Sequence, residues 1–199
     1  MKAAGDAELL ALGSRGLNRV TGLLAGSVAL GVVAKTTRPV VLVRAGTPPE
    51  EASPAAARRD VVLGVDVTQP CDEVIEYAFE TARTHHTRLR ALYAWRAPDP
   101  FTLGPGEVGL VGDPQRAEEW LGFLTAVLQV WRDKYPDVEV VQTVVEGKAA
   151  GALVKAASGA ELVVVGHRLA GRPRVPRTGP VAHAVIHRVT CPVVVVPHD

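Results

Sequence analysis

The residues with the most specific chemistry in this sequence are glycines. Gly13, Gly16 and Gly26 follow the pattern glycine, two residues, glycine, nine residues, glycine, and Ser27 comes next. Glycine lets the main chain approach an anion closely and present unhindered N–H groups. Ser27 stands where a helix cap belongs, so the positive end of the helix after it would face whatever the loop holds. The chemistry indicated is phosphate binding rather than bond making. A second set at the same spacing is Gly166, Leu169, Gly179 and Pro180, in which leucine replaces the middle glycine and proline the serine. Proline removes both a hydroxyl and a backbone N–H, although it suits the first position of a helix.

Both sets belong to an internal repeat. Shifted by 153 residues, segment 7–16 falls on 160–169 and segment 26–43 falls on 179–196 without a gap. About 15 of 37 aligned positions are identical, including Pro39 and Pro192. A period that long is a duplicated unit rather than a solenoid repeat. Only one whole copy fits, so the N-terminal copy is expected to lack its front part. Residues 47–59 (TPPEEASPAAARR) carry proline, alanine and charge with no apolar period, the composition of a linker. The expected organisation is a partial unit at 1–46, a linker at 47–58 and a complete unit at 59–198.

The elements that must position these residues alternate. Short apolar runs at 61–66, 89–95, 138–145, 162–165 and 193–196 read as buried strands. Between them, 70–84, 114–134, 149–157 and 181–188 read as helices, the first with the stripe Val74, Ile75, Ala78, Phe79, Ala82. This predicts an α/β fold with a doubly wound, five-stranded parallel sheet. The N-terminal segment reads strand (8–12), helix (28–36), strand (40–44), and its last strand is expected to lie antiparallel to 193–196. In such sheets ligands bind beyond the carboxyl ends of the strands, which points to Asp66, Trp95, Arg96 and Gly166.

At this point the sequence resembles the universal stress protein (UspA-like) family along nearly its whole length. Its ATP-binding members carry the glycine pattern of Gly13, Gly16, Gly26 and Ser27, an aspartate at the end of the first strand like Asp66, and a closing Pro-Val strand like RPVVLV and CPVVVV. The resemblance implies an adenine-nucleotide site, with ATP and Mg as ligand. It implies Asp66, Ala94 and Val165 on the adenosine side, and Gly166, Gly179 and Val181 on the phosphate side of the complete unit. Gly13, Gly16, Gly26 and Ser27 are the corresponding set in the partial unit. It also implies pairing through the last strands, either within the chain or in a homodimer. Because that pairing is antiparallel, the two glycine loops are expected at opposite ends of the sheet rather than in one composite pocket. The alternative is a nucleotide-free interaction module with a degenerate phosphate loop.

Composition excludes other classes. The chain has 199 residues, 47% hydrophobic, with 22 basic and 21 acidic side chains. A net charge of +1 gives no field to gather nucleic acid or an anionic membrane. Two cysteines are too few for a disulfide framework, and a reducing, cytoplasmic setting is expected. Residues 20–34 carry no charge but are shorter than the ~20 residues a span requires, so no membrane segment is expected. Gly104, Gly106 and Gly109 spell GxGxxG without the strand-turn-helix context a dinucleotide fingerprint needs. His183 and His187, four residues apart with His167 nearby, lack the carboxylate partners of a metal centre. The four arginines of 166–177 (GHRLAGRPRVPR) read by default as a solvated loop, the alternative being guanidinium forks that hold phosphates where the glycine cradle has failed. No Gly-x-Ser-x-Gly nucleophile elbow is present, so no dedicated catalysis is expected.

Overall fold

The computed structural model describes residues 7–14, 27–44, 59–96, 114–169 and 178–199. In chain order the elements are β1 (Leu10–Ser14), α1 (Ser27–Val33), β2 (Val40–Arg44), β3 (Val61–Gly64), α2 (Asp72–Thr84) and β4 (Leu89–Trp95). There follow α3 (Pro114–Lys134), β5 (Val140–Glu146), α4 (Ala149–Ala156), β6 (Leu162–Arg168), α5 (Pro180–Arg188) and β7 (Val193–His198). The strands form one sheet of seven in the order β1-β2-β7-β6-β3-β4-β5. Five of them, β7 through β5, run parallel. These five are the sheet read for the complete unit; β1 and β2, parallel to each other, extend it to seven by joining β7 antiparallel, the side on which 40–44 was expected. The seam registers Val40 with Val195, Val41 with Val194 and Leu42 with Val193.

Strand alternation sorts the side chains onto two faces. Val61, Leu63, Val164 and Val194 pack one way, against α2 and α3, together with Phe79, Leu124 and Leu128. Val62, Val163, Val193 and Val195 pack the other way, with Leu153 of α4 and Val185 and Ile186 of α5. α1 lies on this second face, where Val33 and Val40 are buried among the same valines. α2 is typical of how these helices form. Asp72 and Glu73 occupy its first turn, Arg83 its last, and its buried residues are the five of the apolar stripe. The acids and the arginine each complement the nearby end of the helix dipole.

Several boundaries differ from the sequence reading. β1 covers 10–14 rather than 8–12, so Gly13 is paired with Val43 inside a strand and does not open a loop. β6 likewise continues past 165 to Arg168, which puts Gly166 opposite Val196. In both cases pairing to the neighbouring strand outlasts the apolar run. Ser27 is the first residue of α1 rather than a cap before it. α1 ends at Val33, where Lys35 and Thr36 both donate to the Val32 carbonyl and close the last turn. α2 begins at Asp72, because Cys71 leads into it in extended form. Gly16, Gly26, the linker 47–58 and the glycines at 104–109 lie outside the described residues.

Candidate functional site

Chain direction along the sheet changes at β3. From β3 the chain winds outward through β4 to β5, then crosses to β6 and β7 on the other side. Ligand crevices form where neighbouring strands send their connections to opposite faces, here between β3 and β6. A cleft of ≈ 580 Å³ opens at this point, beyond the carboxyl ends of β3, β4 and β6 and beside the start of α5. That volume suits a small organic ligand.

The cleft brings together Asp66, Ala94, Val165, Gly166, Gly179 and Val181, all six residues read from the complete unit. Of the other four, Gly16 and Gly26 lie outside the described residues, and the other two do not join the cleft. Gly13 and Ser27 are not among its lining residues, and β1 runs antiparallel to β6, so its carboxyl end faces the far end of the sheet.

Asp66 follows β3 and is exposed to the cleft. Its Oδ1 accepts the Thr68 backbone N–H at 3.0 Å and the Thr68 hydroxyl at 2.6 Å, an Asx turn that fixes the carboxylate's orientation. Tyr93 of β4 lines the same wall and packs on Trp120, ring centroids 5.1 Å apart. Burial and the nearby Asp66 charge raise its phenol pKa, so Tyr93 offers an O–H donor and an aromatic face at neutral pH.

The floor depends on two close approaches. A Cβ on Gly64 would lie 3.0 Å from Leu153 Cδ1 of α4, so glycine here lets α4 pack down onto β3. A Cβ on Gly166 would lie 2.9 Å from His198 Nε2 and 3.1 Å from Val74 Cγ2. The His198 ring therefore sits directly against the strand where the phosphate loop should begin. The Leu169 N–H donates to the His198 carbonyl at 2.6 Å, which prolongs β6–β7 pairing through the position of the missing second glycine. α5 starts with Gly179 as its cap and Pro180 in its first turn.

Arg168, one of the four arginines of 166–177, stands at the mouth of the cleft, and what surrounds it there was not read from the sequence. Arg168 Nη2 donates to Gln69 Oε1, joining the end of β6 to the loop after β3. A shallower depression adjoins it, lined by Gln69, Cys71, Glu73, Arg168, His198 and Asp199, among others. The Cys71 thiol donates to Glu73 Oε2 at 3.0 Å, and burial together with that hydrogen bond pushes its pKa up to about 11. Cys71 is thus a protonated, unreactive thiol. Pairing of β6 with β7 sets Arg168 opposite His198, and the loop after β3 brings Gln69, Cys71 and Glu73 to them.

Among the described residues no group of three or more His, Cys, Asp or Glu could hold a metal ion. His183 and His187 instead pack with their rings tilted at 54°, centroids 4.4 Å apart. No described helix is long and apolar enough to cross a membrane.

Residues 1–44 and 57–197 match the universal stress protein family. The chain belongs to that family. One universal stress protein of Mycobacterium tuberculosis is 33% identical over 195 residues, covering 96% of this chain and 60% of the relative. A second from the same organism is 30% identical, covering 98% of this chain and 63% of the relative. This universal stress protein therefore spans about 60% of the length of the curated relatives it matches. A universal stress protein from Archaeoglobus fulgidus has the same fold, with TM-score 0.68 and 22% identity over 100% of this chain and 65% of the other. UspA from Lactobacillus plantarum superposes with TM-score 0.52 and 18% identity, over 72% of this chain and 99% of the other.

Proposed function

We propose that this universal stress protein is an adenine-nucleotide-binding module of the stress response, a sensor without dedicated catalysis. The observation that carries this reading is the convergence of Asp66, Ala94, Val165, Gly166, Gly179 and Val181 on one cleft at the point where the winding reverses. In the reading, Ala94 faces the base, and the Asp66 carboxylate, oriented by Thr68, accepts from a ribose hydroxyl. Gly179 and the start of α5 face the phosphate end. ATP with Mg is the ligand to try first. A magnesium ion, when bound, would supply charge neutralisation to the phosphates.

The rest of the organisation belongs to the same proposal. Residues 59–198 act as the complete unit and 1–46 as a partial second copy, tethered through 47–58. Its β2 satisfies the outer edge of β7 and stands in for the partner strand of a homodimer. The cytoplasm is the proposed location, on cysteine usage.

The test is calorimetric titration of the full chain with adenosine, AMP and Mg-ATP, alongside mass spectrometry of any nucleotide released on denaturation. Micromolar binding that Asp66→Ala abolishes supports the proposal. A folded protein that binds none of the three at millimolar concentration refutes it. The second reading, a nucleotide-free interaction module, is favoured by the Leu169 N–H being engaged with His198 and by Pro180 in place of a hydroxyl. It predicts that negative result.

A further inference from the structure

The internal repeat gives the sheet two equivalent surfaces, one covered and one bare. Leu9, Ala11, Val41 and Val43 hold the positions that Leu162, Val164, Val194 and Val196 hold in the second copy. The second set is buried, Leu162 at 8% and Val196 at 3% exposure, in one cluster with Val74, Ile75, Ala78 and Phe79 of α2. In the first set Leu9 is 41% and Val43 43% exposed, Ala11 is exposed and Val41 is partly buried. Strand alternation turns all four to one face, opposite the face on which α1 packs.

The edge beside this face is open as well. β6 has β3 on the side away from β7, whereas β1, its equivalent, ends the sheet among the described residues. The Leu10 N–H donates to the Pro39 carbonyl of the neighbouring chain segment. Peptide groups of successive strand residues turn to alternate sides, so those of Ala11 and Gly13 turn to the outer edge. An apolar sheet face next to an unpaired edge is a seat for an added strand.

The complete unit shows what fits such a seat. There the edge of β6 takes β3 in parallel, and the helix that follows, α2, crosses onto the face. Charge favours the same kind of occupant. Residues 9–49 carry five basic side chains and no acid, while α2 carries Asp72, Glu73, Glu76 and Glu80 against Arg83. Residues 162–198, the segment beside α2 in the complete unit, likewise contain no acid. A second folded copy offers no such piece, because its β3 is held between β6 and β4.

We infer that the outer edge of β1 and the bare face of β1 and β2 form a docking surface for a strand and acidic amphipathic helix of the β3–α2 kind, supplied by another polypeptide and entering parallel to β1. The inference is independent of the nucleotide reading, since this surface lies across the β2–β7 seam from the cleft.

Residues 59–86 of this chain, fused to an unrelated soluble carrier, serve as the probe. Fluorescence anisotropy with the full chain should show saturable binding that the carrier alone does not give. At saturation, hydrogen exchange at Ala11 and Gly13 should slow at least about tenfold. Val43→Glu, at an exposed position, should weaken binding at least about tenfold. Val130→Glu, which charges an exposed valine on α3, should leave it unchanged. No binding at millimolar probe overturns the inference, as does binding that Val43→Glu leaves intact or protection gained away from β1. An isolated chain that is already dimeric, with Ala11 and Gly13 protected, gives the surface to a second copy and overturns it too.

Discussion

The seam between β2 and β7 can be broken by Val40→Lys. Val40 is 0% exposed and sits opposite Val195, and Val33 and Leu42 are buried beside it among Val193, Val195 and Ile186. Fully burying an aliphatic side chain stabilises by about 1.5–3 kcal/mol, so the three residues contribute roughly 5–9 kcal/mol before the cost of ordering the segment. Lysine at position 40 removes one of these contributions and adds a buried ammonium, a penalty of several kcal/mol. The segment should therefore undock while β3 to β7 remain folded around their own core. In hydrogen exchange, amides of β1, β2 and the outer edge of β7 should lose at least about 100-fold of their protection, and amides of β3 and β4 should keep theirs. β7 would then present an open edge of four consecutive valines, which is prone to pair with another copy. Light scattering should accordingly show a rise in mass over the unaltered chain. Wild-type protection across β7 in the variant would refute the argument that this seam holds the N-terminal segment.

Three further outcomes follow from individual residues. Asp60 is 6% exposed and accepts from Arg88 Nε at 2.9 Å and Arg90 Nη2 at 2.6 Å, so Asp60→Asn turns one acceptor into a donor facing a guanidinium. Urea titration should show a loss of about 2–4 kcal/mol with no change in ligand affinity, because the pair lies at the opposite end of β3 from the cleft. With its pKa near 11, Cys71 should be alkylated by iodoacetamide on the order of a hundred times more slowly at pH 8 than an ordinary thiol. Its rate should rise about tenfold per pH unit until about pH 11, and peptide mapping separates it from Cys191. The pKa of His187 is lowered, first by burial and then by the neighbouring His183. The folded chain therefore binds fewer protons there than the unfolded chain, and its stability should fall as pH drops below roughly 6.5, the unfolded value. His187→Ala should flatten that part of the pH–stability curve, and equal slopes would refute the assignment.

Legibility from sequence varied with how local the cause was. α3 appears at 114–134 and β4 at 89–95 as read, since side-chain periodicity and proline placement are written in consecutive residues. The placement of β2 beside β7 was legible for a different reason: the internal repeat implied that two equivalent closing strands could meet. Strand ends were read less well. Gly13 and Gly166 look like loop residues, because glycine weakens a strand wherever it stands. Both are kept in strands by neighbours distant in sequence, Val43 in one case and Val196 with His198 in the other.

By itself, then, the sequence determined the alternation of strands and helices, the two related segments and the six residues that meet in one cleft. Glycine spacing, apolar runs and the position of Asp66 are chemical facts about short stretches of chain. Only the tertiary structure decided what stands at the phosphate end. Pairing β6 to β7 carries His198, 32 residues after Gly166, onto that glycine, engages the Leu169 N–H and turns Arg168 toward Gln69. Those contacts are made by the register of two strands, and no local pattern of residues encodes a register.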